Sequence, residues 1–248
     1  MLGPHTEIFG LITPGDWVDF FRYISEPYEG VLVPESDNRD LKSLLIPKVM
    51  AAKGKFDVVF QPEYVPPELG EWDEDDEKLP SGGPAPFFLK ANTGPRWMLG
   101  GVLSRPFVTT AQSGGVCAIS SIESSDVYGA GADSAALSRF MTFQCVDHCL
   151  AVLEGTLVVQ LKEGAAVKEE VFREGETVVI PAGQAFALQF RSKYVRVWSF
   201  TDGDGIEALV QRAGREFEGV VLPEREDVQG ADEEVVRRAA RELSVDVE

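Results

Sequence analysis

The side chain best equipped for chemistry is His148, one of two histidines in the chain; the other, His5, lies at its start. A neutral imidazole near pH 7 can take a proton from a phenol or an enolisable carbon and return it, so His148 is the catalytic candidate. Around it stand residues suited to an apolar wall. Met141 and Phe143 precede it, and Phe186 and Phe190 follow with Gln189 between them. Phenylalanines so placed suit a flat aromatic ligand. Arg96 and Trp97 complete the ligand-binding candidates; an arginine at the mouth of a pocket fixes a carboxylate or phenolate. Cys149 neighbours His148, but adjacent strand residues face opposite sides, which makes a Cys–His nucleophile pair geometrically poor. No glycine-rich phosphate loop, HExxH motif or nucleophile elbow occurs, so nucleotide, zinc-protease and hydrolase chemistry has no support.

The elements that must position these residues are short strands. From Phe87 onward apolar stretches are split by Gly, Pro and Asn, a pattern of strands and turns. Glu154-Gly155 reads as a hairpin turn. Strands are expected over Val171–Ile180, Ala185–Phe190 and Val195–Phe200, and together they point to a jelly-roll barrel. Residues 125–137 (SDVYGAGADSAAL) read as a loop over one barrel mouth. Four segments are expected: 1–60 (strand, helix, extended, helix), an acidic Pro-rich linker 61–86, a β-barrel 87–205 and a helical tail 206–248.

The first and last of these segments repeat one another. Thr13, Gly15 and Asp16 align with Thr201, Gly203 and Asp204; YEGVLVPE (Tyr28–Glu35) aligns with FEGVVLPE (Phe217–Glu224). Each copy then enters a helical stretch, Leu41–Lys53 and Ala231–Leu243. The second copy follows a barrel and the first follows none, so residues 1–60 read as the orphaned tail of a lost barrel. Its apolar residues (Ile8, Phe9, Leu11, Trp17, Phe20, Phe21, Leu44, Leu45) would need cover, and a homodimer is expected.

Composition sets outer bounds. The 248 residues carry 41 acidic and 23 basic side chains, a formal charge of −18, with 44% hydrophobic residues. Such a surface repels phosphate backbones and anionic membranes, so neither nucleic acid nor membrane is an expected partner. No apolar run approaches the ~18 residues of a membrane span, and the opening MLGPHTEIFG has no signal-peptide pattern; cytoplasmic residence is the expectation. Cys117, Cys145 and Cys149 are an odd set without CxxC spacing and read as reduced thiols.

The spacing resembles a known family. Residues 175–190 (GETVVIPAGQAFALQF) keep Gly175, Pro181 and Gly183 of the second cupin motif, with Phe186 in its histidine slot and Phe190 in its asparagine slot. Residues 148–155 (HCLAVLEG) keep Gly155 of the first motif, with His148 in the glutamate slot; the two histidine slots hold Met141 and Phe143, or Thr142 and Gln144 on the shorter spacing. From Thr6 to about Gly214 the chain resembles one half of the fungal quercetin 2,3-dioxygenase-type bicupins. The resemblance implies an all-β-dominated cupin jelly-roll β-barrel with flanking α-helical tail segments. In that family, copper held by three His and one Glu opens a flavonol ring with dioxygen. Here Met141, Phe143 and Phe186 offer at best a thioether, so no cofactor is expected, with metal only under a dioxygenase alternative. The resemblance also suggests an aromatic or polyketide-like ligand of secondary metabolism. The expected activity is a non-oxidative step such as isomerisation, cyclisation or dehydration; the alternatives are a quercetinase-like dioxygenase and a non-catalytic binding barrel.

Overall fold

The computed structural model describes residues 10–12, 15–30, 37–66, 68, 70–129 and 136–248. The chain divides into two compact units, Met1–Gly70 and Glu71–Glu248. In the first unit, α1 (Trp17–Ile24) packs on α2 (Leu41–Ala52). Phe20, 5% exposed, is enclosed by the rings of Phe21, Phe56 and Phe60 at centroid distances of 5.5, 5.8 and 6.0 Å. Asp40 caps α2 by accepting from the backbone N–H groups of Lys42 and Ser43. The expected first strand, with Ile8, Phe9 and Thr13, and most of the extended stretch Tyr28–Glu35 lie outside the described residues.

Among its described residues the second unit holds twelve strands. They are β1 (Trp97–Leu99), β2 (Val102–Val108), β3 (Ala118–Ser124), β4 (Met141–Phe143), β5 (His148–Glu154), β6 (Thr156–Glu163), β7 (Ala166–Arg173), β8 (Thr177–Ile180), β9 (Phe186–Phe190), β10 (Val195–Thr201), β11 (Arg215–Glu216) and β12 (Val245–Val247). They form two antiparallel sheets, ordered β11-β1-β2-β3-β10-β5-β8 and β12-β4-β9-β6-β7. The chain therefore hops between sheets, as a jelly roll does.

Two turns that read as local are the places where it hops. Glu154-Gly155 does not close a hairpin, because β5 pairs with β10 and β8 while β6 pairs with β7 and β9. It is a corner between sheets. Gly155 has φ +79°, and a Cβ there would lie 2.3 Å from the Tyr194 carbonyl oxygen, so only glycine lets the chain turn. The expected strand Val171–Ile180 is likewise broken by a second corner at Gly175 (φ +83°), which separates β7 from β8.

Side chains alternating on β5 (His148, Leu150, Val152) and β9 (Phe186, Leu188) point inward and are at most 2% exposed. Among the described residues the α-helices of this unit are α3 (Thr110–Ser113), α4 (Ile206–Ala213) and α5 (Glu233–Glu242). Helix α4 packs on β1, β2, β3 and α5, so that Ile206, Leu209 and Val210 join the barrel residues in one apolar cluster. The segment after Thr201 is thus built into the barrel: β11 pairs with β1, and β12 pairs with β4 through Val245–Phe143 and Val247–Met141. Part of the acidic segment is fastened too. A 3-10 turn at Asp75–Glu77 is held where Lys90 N–H donates to the Asp76 carbonyl (2.8 Å) and Gly94 N–H to that of Glu77 (2.9 Å). Among the described residues, no helix is long and apolar enough to cross a membrane.

Candidate functional site

The structure brings four of the sequence-predicted residues into one knot. Met141 on β4 pairs in register with Phe186 on β9. The rings of Phe143 and Phe186 stack at 6.0 Å, and the imidazole of His148 lies 4.5 Å from Phe143 and 5.2 Å from Phe186. All four residues are at most 2% exposed. They fill one another's space, forming a plug in the barrel where an open pocket was expected.

His148 is engaged in this plug. Its Nε2 accepts from the backbone N–H of Ile206, the first residue of α4, at 3.2 Å. The imidazole is then the Nδ1–H tautomer, and Nδ1 has no well-formed hydrogen bond. Burial pushes the imidazole down to about 4, against the Val146 carbonyl and the charge of Asp147. At pH 7 His148 is neutral, and its lone pair is committed to a helix end. The geometry favours a helix anchor over the expected proton carrier.

The residues in the cupin ligand slots do not fit a metal ion. A divalent ion needs several converging N, O or S donors. The slots supply one thioether, two phenyl rings and an imidazole already hydrogen-bonded. The shorter-spacing candidates do no better: Gln144 is exposed and donates to Asp246 Oδ2 at 2.7 Å. Among the described residues, no group of three or more His, Cys, Asp or Glu is placed to hold an ion.

A cavity of about 540 Å³ opens elsewhere in the same unit. It lies where the β1–β2 turn, the end of β3 and the end of β9 meet the 3-10 turns Asp126–Tyr128 and Ala136–Ser138. Val102, Leu137, Leu188 and Phe190 give it apolar walls; Ser125, Asp126, Gln189 and Arg191 give it polar ones. Tyr128 also lines it and is fixed by donating to the Pro223 carbonyl and packing on Gly101, where a Cβ would come within 2.6 Å of the Tyr128 Cβ. Gln189 Oε1 accepts from Arg191 Nε at 3.0 Å. Phe186, Leu188 and Phe190 alternate along the inner face of β9, so plug and cavity share one strand, with Phe186 and Phe190 about 13 Å apart along it.

Of the predicted ligand-binding residues, then, Phe190 and Gln189 line the cavity, while Met141, Phe143 and Phe186 belong to the plug. Arg96 and Trp97 do not line it. Arg96 donates to the Asn92 carbonyl, and Trp97 packs half-buried on the core. Sequence reasoning missed Tyr128, Leu137, Leu188 and Arg191 individually. The expected loop 125–137 did point to this mouth: its two ends line the cavity, and residues 130–135 lie outside the described residues.

No protein-family model matches the chain. A quercetin 2,3-dioxygenase from Aspergillus japonicus is 23% identical over 239 residues, covering 89% of this chain and 65% of that protein. The chain thus spans less than two thirds of that relative's length. Similar solved structures include the EutQ protein of Clostridium difficile (18% identity, TM-score 0.31, 41% of this chain and 68% of that one). They also include the Bacillus subtilis oxalate decarboxylase (12%, 0.35, 44% and 27%) and Fe(II)-bound HppE (11%, 0.32, 40% and 49%).

Jelly-roll topology and the motif glycines give this unit a cupin-like fold. Within that class its sequence resembles the quercetin 2,3-dioxygenases. These neighbours correct the expectation of no cofactor. The oxalate decarboxylase has Mn(II) centres and HppE holds Fe(II), and that expectation is withdrawn.

Proposed function

We propose that this cupin binds a small, largely apolar, aromatic or polyketide-like metabolite in the cavity beside Tyr128 and Phe190. The observation that carries this reading is the cavity itself. Its volume of about 540 Å³ falls within the roughly 300–1,000 Å³ typical of small-molecule sites. Its apolar walls face a few polar groups able to orient a hydroxylated ring. A non-oxidative conversion there, such as an isomerisation, cyclisation or dehydration, would rest on fit and orientation, with Asp126 and Tyr128 as the groups beside the ligand; His148, 1% exposed, stays in the plug. Calorimetric titration with quercetin under nitrogen tests the reading. Saturable binding is expected, weakened about tenfold or more by Phe190→Ala; no binding, or binding indifferent to this change, contradicts it.

A second reading is favoured by the quercetin 2,3-dioxygenase relative: oxidative cleavage of a flavonol. Oxygen uptake with quercetin, after incubation of the protein with Cu(II), Mn(II) or Fe(II), separates the two.

A further inference from the structure

We propose that Glu207 and His148 form a proton-sensitive lock on the start of helix α4, closed while Glu207 carries a proton and forced open when it loses it. The N-cap of α4 is Gly205, which has no side chain to cap the helix. Two other groups do that work. Gly205 N–H donates to Glu207 Oε1 at 2.7 Å, and Ile206 N–H donates to His148 Nε2 at 3.2 Å. Both groups press on the bare Cα. A Cβ at Gly205 would lie 2.8 Å from His148 Nε2 and 2.9 Å from Glu207 Oε2. Imidazole and carboxyl therefore both crowd the Gly205 Cα.

Glu207 is 2% exposed, and its Oε2 has no hydrogen-bond partner. An ionised carboxylate there would be a buried charge without a counterion, which a protein avoids by keeping the proton. Burial, helped by the charge of Asp204, pushes Glu207 up to about 7; the N–H groups of Gly205 and Glu207 and the Thr201 hydroxyl act against it. His148 is pushed down to about 4. The usual order is reversed: at pH 6 the carboxyl holds a proton and the imidazole does not.

The proton has a way out. A cavity of about 150 Å³, lined by Thr110, Asp204, Glu207, Gln211 and Arg212, adjoins the carboxyl. It has room for a few waters, and Gln211 Nε2 lies buried in this region without a partner. The charges around the pair give Glu207 no counterion. Arg212 is paired with Asp204 at 2.9 Å, and Thr110 donates to Asp204 Oδ1 at 2.6 Å. On the His148 side, Asp147 accepts from Ala182 N–H and donates its own N–H to Asp202. When Glu207 releases its proton to water, a buried charge without a counterion is left at the first turn of α4, and its need for water loosens that turn from β5.

The sign of the effect follows. Between about pH 4.5 and 7 the unfolded chain gives up this proton and the folded chain keeps it; this group's contribution to stability is lost as pH rises through that window. Glu207→Gln has no such loss. The melting temperature of the variant relative to wild type is expected to climb between pH 5 and pH 8, by about 5 °C or more. Imidazole nitrogen NMR supplies an independent readout, simplified by there being two histidines. In wild type the His148 signals should shift with a midpoint near pH 7 while the ring stays neutral, and Glu207→Gln should abolish that step. A melting difference independent of pH, or a His148 ring that becomes imidazolium with a midpoint near 6.5, overturns the proposal. If the variant does not fold, the wild-type titration alone decides.

Discussion

Gly205 shows how tightly the interior is made. A methyl group there would meet Thr201 Cγ2 at 2.5 Å as well as His148 and Glu207. Gly205→Ala should destabilise the barrel by about 2 kcal/mol, read as a shift in urea midpoint with unchanged slope. His148 makes a pH prediction of opposite sign to that of Glu207. Its folded value lies below the ordinary 6.5, so its contribution is full above pH 6.5 and lost as pH falls toward 4. Removing the ring in His148→Ala takes away the acceptor for Ile206 N–H and leaves a void beside Phe143; a cost of about 3 kcal/mol is expected in the same measurement. Another buried pair lies away from the cavity. Arg105 and Glu123, 8% and 5% exposed, meet at 3.2 Å, with Tyr194 and Ser121 also donating to Glu123. Glu123→Ala strands a buried guanidinium and should cost about 3 kcal/mol or more.

At the scale of elements, β9 joins the two halves of the interior. Phe186 belongs to the plug and Phe190 to the cavity, so their removal should have different consequences. Phe186→Ala is expected to lower stability by about 3 kcal/mol while leaving quercetin affinity within a few-fold. Phe190→Ala should do the reverse. Paired denaturation and calorimetry would show whether the two functions separate. The strands and the motif turns were readable from the sequence because they depend on local geometry: Gly155, Gly175 and Gly183 all have positive φ. What local pattern could not supply was pairing. Glu154-Gly155 reads as a hairpin because the strands on either side alternate well; the partners that make it a corner, β10 and β9, come from distant sequence. For the same reason His148 read as free for catalysis. The helix end that occupies it arrives 58 residues later, and Glu207 looks in sequence like any acidic residue in the first turn of a helix.

At the scale of the molecule, the chain joins a small helical unit to a jelly-roll barrel whose cupin-motif slots are packed with side chains. Helices α1 and α2 follow one another at a spacing like that of α4 and α5, in keeping with the sequence alignment of the two segments. A fragment spanning residues 71–248 should fold with barrel methyl resonances matching those of the full chain; collapse of that spectrum would show that the division at Gly70 is not one of stability. The central proposal is that a small ligand binds at the mouth beside Tyr128 and not among the side chains of the cupin-motif slots. A crystal structure of the protein soaked with quercetin tests it most directly. The account predicts ligand density between Leu188, Phe190 and Tyr128, with the rings of Phe143, Phe186 and His148 undisturbed; density wedged among those three rings would contradict it.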